Sequence, residues 1–426
     1  MSPVASDGID AGHFAAVQRR TLRVLFATQV ISGVGIGIGA SVGALLTADL
    51  AGVGVSGLAP SAVVVGAALL ALPATAIVRR HGRRPSLAAA YLAATLGSIV
   101  IVTAAMRDTI PLLFAGFFLF GGATAASFQA RYAAVDLAPP RLRGRHLATI
   151  VWATTVGAIA GPNLAALAGA TLDGYGVPTL AGPFVFSALL FTLAALVLML
   201  LMRPDPAMLA RQAAAPSTAS EPASRQTGIG PALRAVASHP PALLGITAVA
   251  VGHLVMVGVM AMTPVHIRSA GHNAADTLRI VGIVISLHVA GMYAFSPAIG
   301  WLTDRFGRRP IILTGVGLLI TACALAATAG HHQTQLAIGL LILGLGWSCT
   351  MVAGSTLLSE SIPVDLRASA QGLSDLTMGL AGASAGALSG VVVYLWGFPM
   401  LGLIAALATV PFLAFATRGM KASQLQ

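Results

Sequence analysis

The feature of this sequence that most limits its fold is a series of twelve apolar stretches of about 20 residues each. A helix of that length can cross the hydrocarbon layer of a membrane. Only 9% of the 426 residues are charged, whereas a soluble domain needs about a quarter. We therefore predict an all-α membrane protein of twelve transmembrane helices. The predicted spans are residues 22–47, 58–78, 86–106, 110–132, 146–170, 183–202, 243–262, 279–300, 311–330, 334–358, 369–394 and 398–417.

The spans fall into two sets of six, separated by a stretch rich in Pro, Ala, Ser and Thr. We predict an N-terminal six-helix bundle over residues 1–202, a cytoplasmic linker over residues 203–240 and a C-terminal six-helix bundle over residues 241–426. Cys323 and Cys349 lie in different apolar stretches and form no cysteine cluster, so neither a disulfide framework nor a thiolate metal site is indicated.

The basic residues determine the predicted orientation. With both termini in the cytoplasm, the predicted cytoplasmic segments hold all 24 basic residues except Arg107, Arg131, Arg268 and Arg279. Such a bias follows the positive-inside rule. The formal net charge of +11 is therefore spread over connectors, which argues against a nucleic-acid partner. We expect a multi-pass monomer in the cell inner membrane, with lipid as its surroundings.

Two short patterns recur in both halves of the chain. The segment 80–85 (Arg-His-Gly-Arg-Arg-Pro) matches the segment 305–310 (Arg-Phe-Gly-Arg-Arg-Pro) at a shift of 225 residues. Asp136-x-x-Pro-x-x-x-Arg matches Glu360-x-x-Pro-x-x-x-Arg at a shift of 224. Two matches at nearly one offset indicate an internal duplication, as many transporter folds contain.

The pattern Gly300-x-x-x-Asp304-Arg305-x-Gly307-Arg308-Arg309 resembles the loop motif of the major facilitator superfamily. The first half departs from it, with Arg79 at the acidic position. The resemblance covers nearly the whole chain and implies alternating access of a central cavity to the two sides of the membrane. The charged residues at predicted cytoplasmic helix ends are then candidate gating latches. They are Asp304, Arg305, Arg308, Arg309, Glu360 and Arg367.

Soft ligands lie on two consecutive spans of the second half. Helix 7 carries His253, Met256 and Met260, whose spacing places them on one helical face. Helix 8 carries His288 and Met292, spaced by four. Thioether sulfur favours Cu(I), and imidazole also suits copper. Methionine is also a common packing residue, so the spacing by itself leaves a packing role open.

The pair Met256-x-x-x-Met260 followed by His288-x-x-x-Met292 resembles the motif of the CcoA-like copper importers, a branch of the same superfamily. That resemblance implies that these four residues bind copper as the transported substrate, with no permanently bound cofactor. His253 lies outside the motif and is a further candidate ligand. The equivalent positions of the first half are Ile, Gly, Val and Ala, so the candidate site does not belong to the repeated scaffold.

A competing interpretation comes from helix 5. Gly157-x-x-x-Gly161-Pro162 resembles the glycine–proline motif of drug/proton antiporters, which bends the helix and contributes to gating. In an exporter of small organic compounds, Asp375 or Asp49 would be the protonation site, since ionisable residues inside spans are usually functional. A third possibility is a substrate-binding sensor with this fold. No phosphate loop or catalytic triad pattern suggests an enzyme.

Overall fold

A computed structural model describes residues 4–139, 142–172, 175–213, 229–363 and 366–423. These residues form sixteen α-helices and no strands. The helices are α1 (Val4–Ala51), α2 (Val53–Ser56), α3 (Leu58–His81), α4 (Arg83–Met106), α5 (Ile110–Ala133), α6 (Arg143–Leu172), α7 (Gly182–Leu201), α8 (Pro206–Ala213), α9 (Ile229–Ser238), α10 (Pro240–Arg268), α11 (Ala274–Tyr293), α12 (Ser296–Phe306), α13 (Arg308–Thr328), α14 (Gln333–Ser361), α15 (Arg367–Ala408) and α16 (Val410–Ser423).

The predicted transmembrane fold is confirmed. In the part of the chain that the structure describes, eleven helical stretches are long and apolar enough to cross a membrane. The last of them, Ser369–Thr417, holds two predicted spans, because the backbone leaves the helical conformation at Gly397 (φ 81°). A positive φ of this kind is readily adopted only by glycine. The protein is therefore a multi-pass membrane protein with an all-α fold.

The eighth predicted span, residues 279–300, is not one continuous helix. Helix α11 ends at Tyr293 and α12 begins at Ser296. Pro297 explains the break, because it has no N–H to donate and its ring obstructs the preceding turn, so it favours the first turn of a new helix. The Ser296 hydroxyl donates to the carbonyl of Met292 across the break (3.1 Å). The candidate pair His288 and Met292 thus occupies the last two turns of α11.

The chain divides into two compact units. The first comprises Met1–Val42 and Ala62–Ala219. Inside it, α4 packs against α5 and α7. A cluster of aromatic rings fills this core: Phe120 lies 5.8 Å from Phe184 and 5.3 Å from Phe191, measured between ring centroids.

The second unit comprises Gly43–Ser61 and Ser220–Gln426. Helix α14 is its central element and packs against α10, α11 and α13. Large apolar side chains such as Leu380 and Leu388 are exposed, as expected for surfaces that face lipid. The buried cluster around α14 contains both Met256 and Met292, so the fold brings the two candidate ligand helices to the same core.

Candidate functional site

The two repeated sequence patterns form the same ion pair, once inside each unit. In the first unit, Arg83 donates from Nε and Nη2 to the two carboxylate oxygens of Asp136 (2.9 and 3.1 Å). In the second, Arg308 donates in the same way to Glu360 (2.9 and 2.6 Å). Each arginine begins a helix directly after a glycine with φ of 93°. This equal local geometry supports the predicted duplication.

The remaining candidate latch residues have individual contacts within the second unit. Asp304 accepts from Arg308 (3.3 Å) and is 75% exposed. The guanidinium of Arg305 lies 5.6 Å from the ring centroid of Trp301, and Arg309 donates to the carbonyl of Ala416. The side chain of Arg367 lies outside the described part of the structure. A gating role for these residues stays a prediction.

The glycine–proline motif of α6 packs against a glycine pair of α1 with the same spacing. A Cβ on Gly157 would lie 2.4 Å from the Val30 carbonyl oxygen, and one on Gly161 would lie 2.9 Å from the Gly37 Cα. The ring of Pro162 in turn lies 3.0 Å from a Cβ built on Gly37. Small residues spaced by four allow two membrane helices to approach this closely, so the motif has a packing role within the first unit.

The two candidate protonation sites differ in their surroundings. Asp49 forms an ion pair with Arg268 (3.4 Å) inside the second unit. Asp375 lies in the third turn of α15 and is exposed. A proton-carrying role for either residue stays a prediction.

The depth of the methionine pair can be determined from the contacts between α10 and α14. A Cβ on Gly245 would lie 2.6 Å from the Gly354 carbonyl oxygen, and Trp347 hydrogen-bonds to His253, so the two helices run antiparallel. Met256 and Met260 follow His253 by about 4.5 and about 10.5 Å along the axis. They therefore lie level with residues 340–344 of α14.

Helix α11 places His288 and Met292 against the same stretch of α14. His288 Nδ1 lies 2.8 Å from the Leu340 carbonyl oxygen. A Cβ on Gly344 would lie 2.3 Å from the His288 carbonyl oxygen and 2.9 Å from the Met292 nitrogen. The helices thus bring the two pairs to one depth, although they are separated by about thirty positions in the sequence.

The hydrogen bond of His288 fixes the position of its proton. A carbonyl oxygen only accepts, so Nδ1 carries the hydrogen and Nε2 has the lone pair. Nε2 is buried and has no hydrogen-bond partner in the described structure, and the side chain is fully buried. This is the arrangement of a metal-binding histidine, which usually donates its second N–H to a carbonyl or carboxylate.

The sulfur atoms complete a set of neutral donors. Met256 and Met292 are 3% and 7% exposed within one apolar cluster, and Met260 packs against that cluster. Among the described residues, no group of three or more His, Cys, Asp or Glu side chains is arranged to hold a metal ion. A metal site in this region would thus depend on thioethers. That the four side chains bind one ion stays a prediction.

His253 has a partner that the sequence analysis missed. The indole N–H of Trp347 donates to His253 Nδ1 (3.0 Å), so the proton of the neutral imidazole is on Nε2 and neither nitrogen offers a lone pair. In this state the hydrogen bond to Trp347 uses the lone pair of His253, and a ligand role for His253 stays a prediction. The signal available in the sequence was the indole N–H, which usually has an acceptor when the ring is buried.

Histidines also meet at the end of the second unit where α10 and α13 terminate. His266 donates to the Gly330 carbonyl (2.7 Å), and its ring stacks between Phe398 and His331 at centroid distances of 4.2 and 6.0 Å. His272 lies 3.1 Å from the Gln333 amide nitrogen. His266, His272 and His331 line one small pocket. The present contacts of His266 and His272 are explained by local packing.

Comparison with known proteins identifies related sequences along nearly the whole chain. The family model for the Major Facilitator Superfamily matches residues 24–281 and 273–423. The Uncharacterized MFS-type transporter YddS of Bacillus subtilis is 35% identical over 395 residues, covering 92% of this chain and 89% of the relative. The Riboflavin transporter RfnT of Brucella anthropi is 28% identical over 417 residues, covering 94% and 96%.

A solved structure shows the same fold. The bacterial homologue of the human lysosomal transporter Spinster, in an inward-facing and unoccupied conformation, aligns with a TM-score of 0.71. The two chains are 17% identical, with 94% of this chain and 96% of the other covered. At this identity the similarity concerns the arrangement of helices.

Proposed function

The chain belongs to the Major Facilitator Superfamily of secondary transporters, and we propose that it imports copper by alternating access. The copper ligands in this proposal are Met256, Met260, His288 and Met292. Copper is the cargo, bound briefly while the transporter changes between its two open states. The superfamily itself does not specify the solute, so the proposal depends on these side chains.

The observation that carries the proposal is the buried, unpartnered Nε2 of His288. An unsatisfied polar atom in a protein interior costs about 1–3 kcal/mol. If His288 served packing alone, nothing would offset the cost of burying this nitrogen, because an apolar side chain would fill the same space without it. A metal ion that binds Nε2 would use the lone pair, while the bond from Nδ1 to Leu340 keeps the ring in position.

The chemistry of the four donors favours Cu(I). Three thioethers and a neutral imidazole carry no charge, and soft donors of this kind select Cu(I) over harder ions. No proton has to leave a thioether for it to bind, and the ligands come from two separate helices. A relative movement of α10 and α11 would weaken the site, which gives a physical route to release.

The test measures copper accumulation in cells that express the protein. Met256→Leu with Met260→Leu keeps the side-chain volume nearly constant, and such exchanges usually cost less than about 1.5 kcal/mol. We expect copper accumulation to fall to the level of cells without the transporter. The control is Met199→Leu with Met400→Leu, two methionines that are each 37% exposed. Normal accumulation in the first double variant would refute copper transport.

A second candidate is proton-coupled transport of small organic compounds. It is favoured by the similarity to the riboflavin transporter over nearly the whole chain and by the tight packing of Gly157 and Gly161 against α1. Uptake and efflux of riboflavin by cells carrying the Met256→Leu, Met260→Leu variant would separate the candidates. An organic-solute transporter would move riboflavin equally well with and without the two sulfur atoms.

A further inference from the structure

Trp347 differs from the other tryptophans of this protein. Trp152, Trp301 and Trp396 are 56%, 59% and 59% exposed, as expected for side chains on a lipid-facing surface, whereas Trp347 is 7% exposed. It lies in the middle of α14, within the apolar cluster that contains Met256 and Met292. A buried indole at this depth therefore has a different environment and calls for its own explanation.

Trp347 contacts both helices that carry the proposed ligands. Its N–H donates to His253 of α10, three residues before Met256. Its ring packs perpendicular to that of Tyr293 of α11, directly after Met292, with the centroids 5.6 Å apart and an interplanar angle of 72°. These two contacts fix the rotation of the indole next to Met292 and about one helical turn from Met256.

Among the described residues, the three helices that carry the proposed ligands and Trp347 place no negative charge close to the site. The charged residues of α10, α11 and α14 lie near the helix ends, more than two turns from His288 and from Met256. They are Arg268, Asp276, Arg279 and Glu360. A Cu(I) ion held by neutral donors would keep its full positive charge in an apolar layer. The face of an indole has a negative potential and attracts a cation, most strongly where water is excluded.

We propose that the face of Trp347 contacts the bound Cu(I) ion through a cation–π interaction, and that the hydrogen bond to His253 holds the indole in that orientation. This inference rests on the proposed copper transport and extends it to selectivity. A monovalent soft cation gains from both the thioethers and the ring face. Trp347 is then a residue that contacts the substrate without donating a lone pair to it.

The test uses Ag(I), a redox-stable monovalent ion that binds the same soft donors, and the purified full-length protein in detergent. Binding is measured by competition with a soft-metal chelator, and contact is measured by tryptophan emission. We expect Ag(I) to quench part of the emission of the wild-type protein and of Trp301→Phe, the lipid-exposed control. Trp347→Phe should lose that quenching, and Trp347→Leu should bind Ag(I) about tenfold more weakly.

The outcomes separate the two proposals. If the wild-type protein binds Ag(I) but Trp347→Phe shows the same quenching, or Trp347→Leu binds with unchanged affinity, the role of Trp347 is refuted and copper binding stands. If the wild-type protein binds no Ag(I), the copper proposal itself is refuted and the inference falls with it. Should Trp347→Leu fail to fold, the emission of Trp347→Phe decides, since Phe retains an aromatic ring at this position.

Discussion

Replacing His288 by Leu tests whether the most distinctive buried group of this protein serves ligand binding or folding. The exchange removes the unpartnered Nε2, whose burial costs about 1–3 kcal/mol, and one hydrogen bond to Leu340, which contributes about 0.5–1.5 kcal/mol. Leucine fills a similar volume and is apolar. The stability of the variant should therefore lie between about 0.5 kcal/mol below and about 2.5 kcal/mol above that of the wild-type protein.

Copper transport should change in the opposite direction. Loss of one donor from a four-ligand site should lower copper accumulation by about tenfold or more, since even changes in outer-shell partners of metal ligands cost about 10–100-fold in metal affinity. Thermal unfolding in detergent and cellular copper content measure the two effects. His332→Leu, at an exposed position, is the matched control for loss of a histidine.

Two results would contradict this reasoning. If His288→Leu were destabilised by more than about 2 kcal/mol, the imidazole would contribute to folding beyond its single hydrogen bond. If the variant accumulated copper normally, Nε2 would not be a ligand. A stable variant without copper transport is the pattern that only a ligand role explains.

Three further predictions concern gating, packing and orientation. Asp304→Asn should slow transport but leave Ag(I) binding and stability nearly unchanged, because an exposed ion pair such as that with Arg308 contributes little to stability. Normal transport by this variant would refute the latch. Gly161→Ala should destabilise the protein by about 1–3 kcal/mol, because the added Cβ would collide with the backbone of α1. The control is Gly317→Ala, whose added Cβ would have no atom within 4 Å, so it should be neutral or slightly stabilising. Thermal unfolding measures both variants. A cysteine introduced at the exposed Ser238, in the predicted cytoplasmic linker, should not react with membrane-impermeant thiol reagents in intact cells. The two native cysteines are buried and should add little background labelling. Labelling of the introduced cysteine from outside would reverse the predicted orientation.

The sequence was informative about the candidate ligands but not about their partners. Helical spacing placed Met256 and Met260 on one face, and the structure sets both level with His288. The spacing did not indicate that the Leu340 carbonyl would accept a hydrogen bond from His288. It also did not indicate that the Trp347 indole would donate one to His253. Those partners lie between 52 and 94 positions away in the sequence, so they depend on how α14 packs between its neighbours.

By itself, the sequence determined the number and position of the spans, because a bilayer requires about 20 apolar residues for each crossing. It also revealed the duplication, because two patterns recur in the second half at shifts of 225 and 224 residues. Those patterns contain the residues of the ion pairs Arg83–Asp136 and Arg308–Glu360. Only the tertiary structure decided which nitrogen of His288 has the lone pair, and which side chain lies beside His253. The reason is physical: hydropathy is a property of each segment, whereas a proton position depends on the atom that another helix brings within hydrogen-bonding distance.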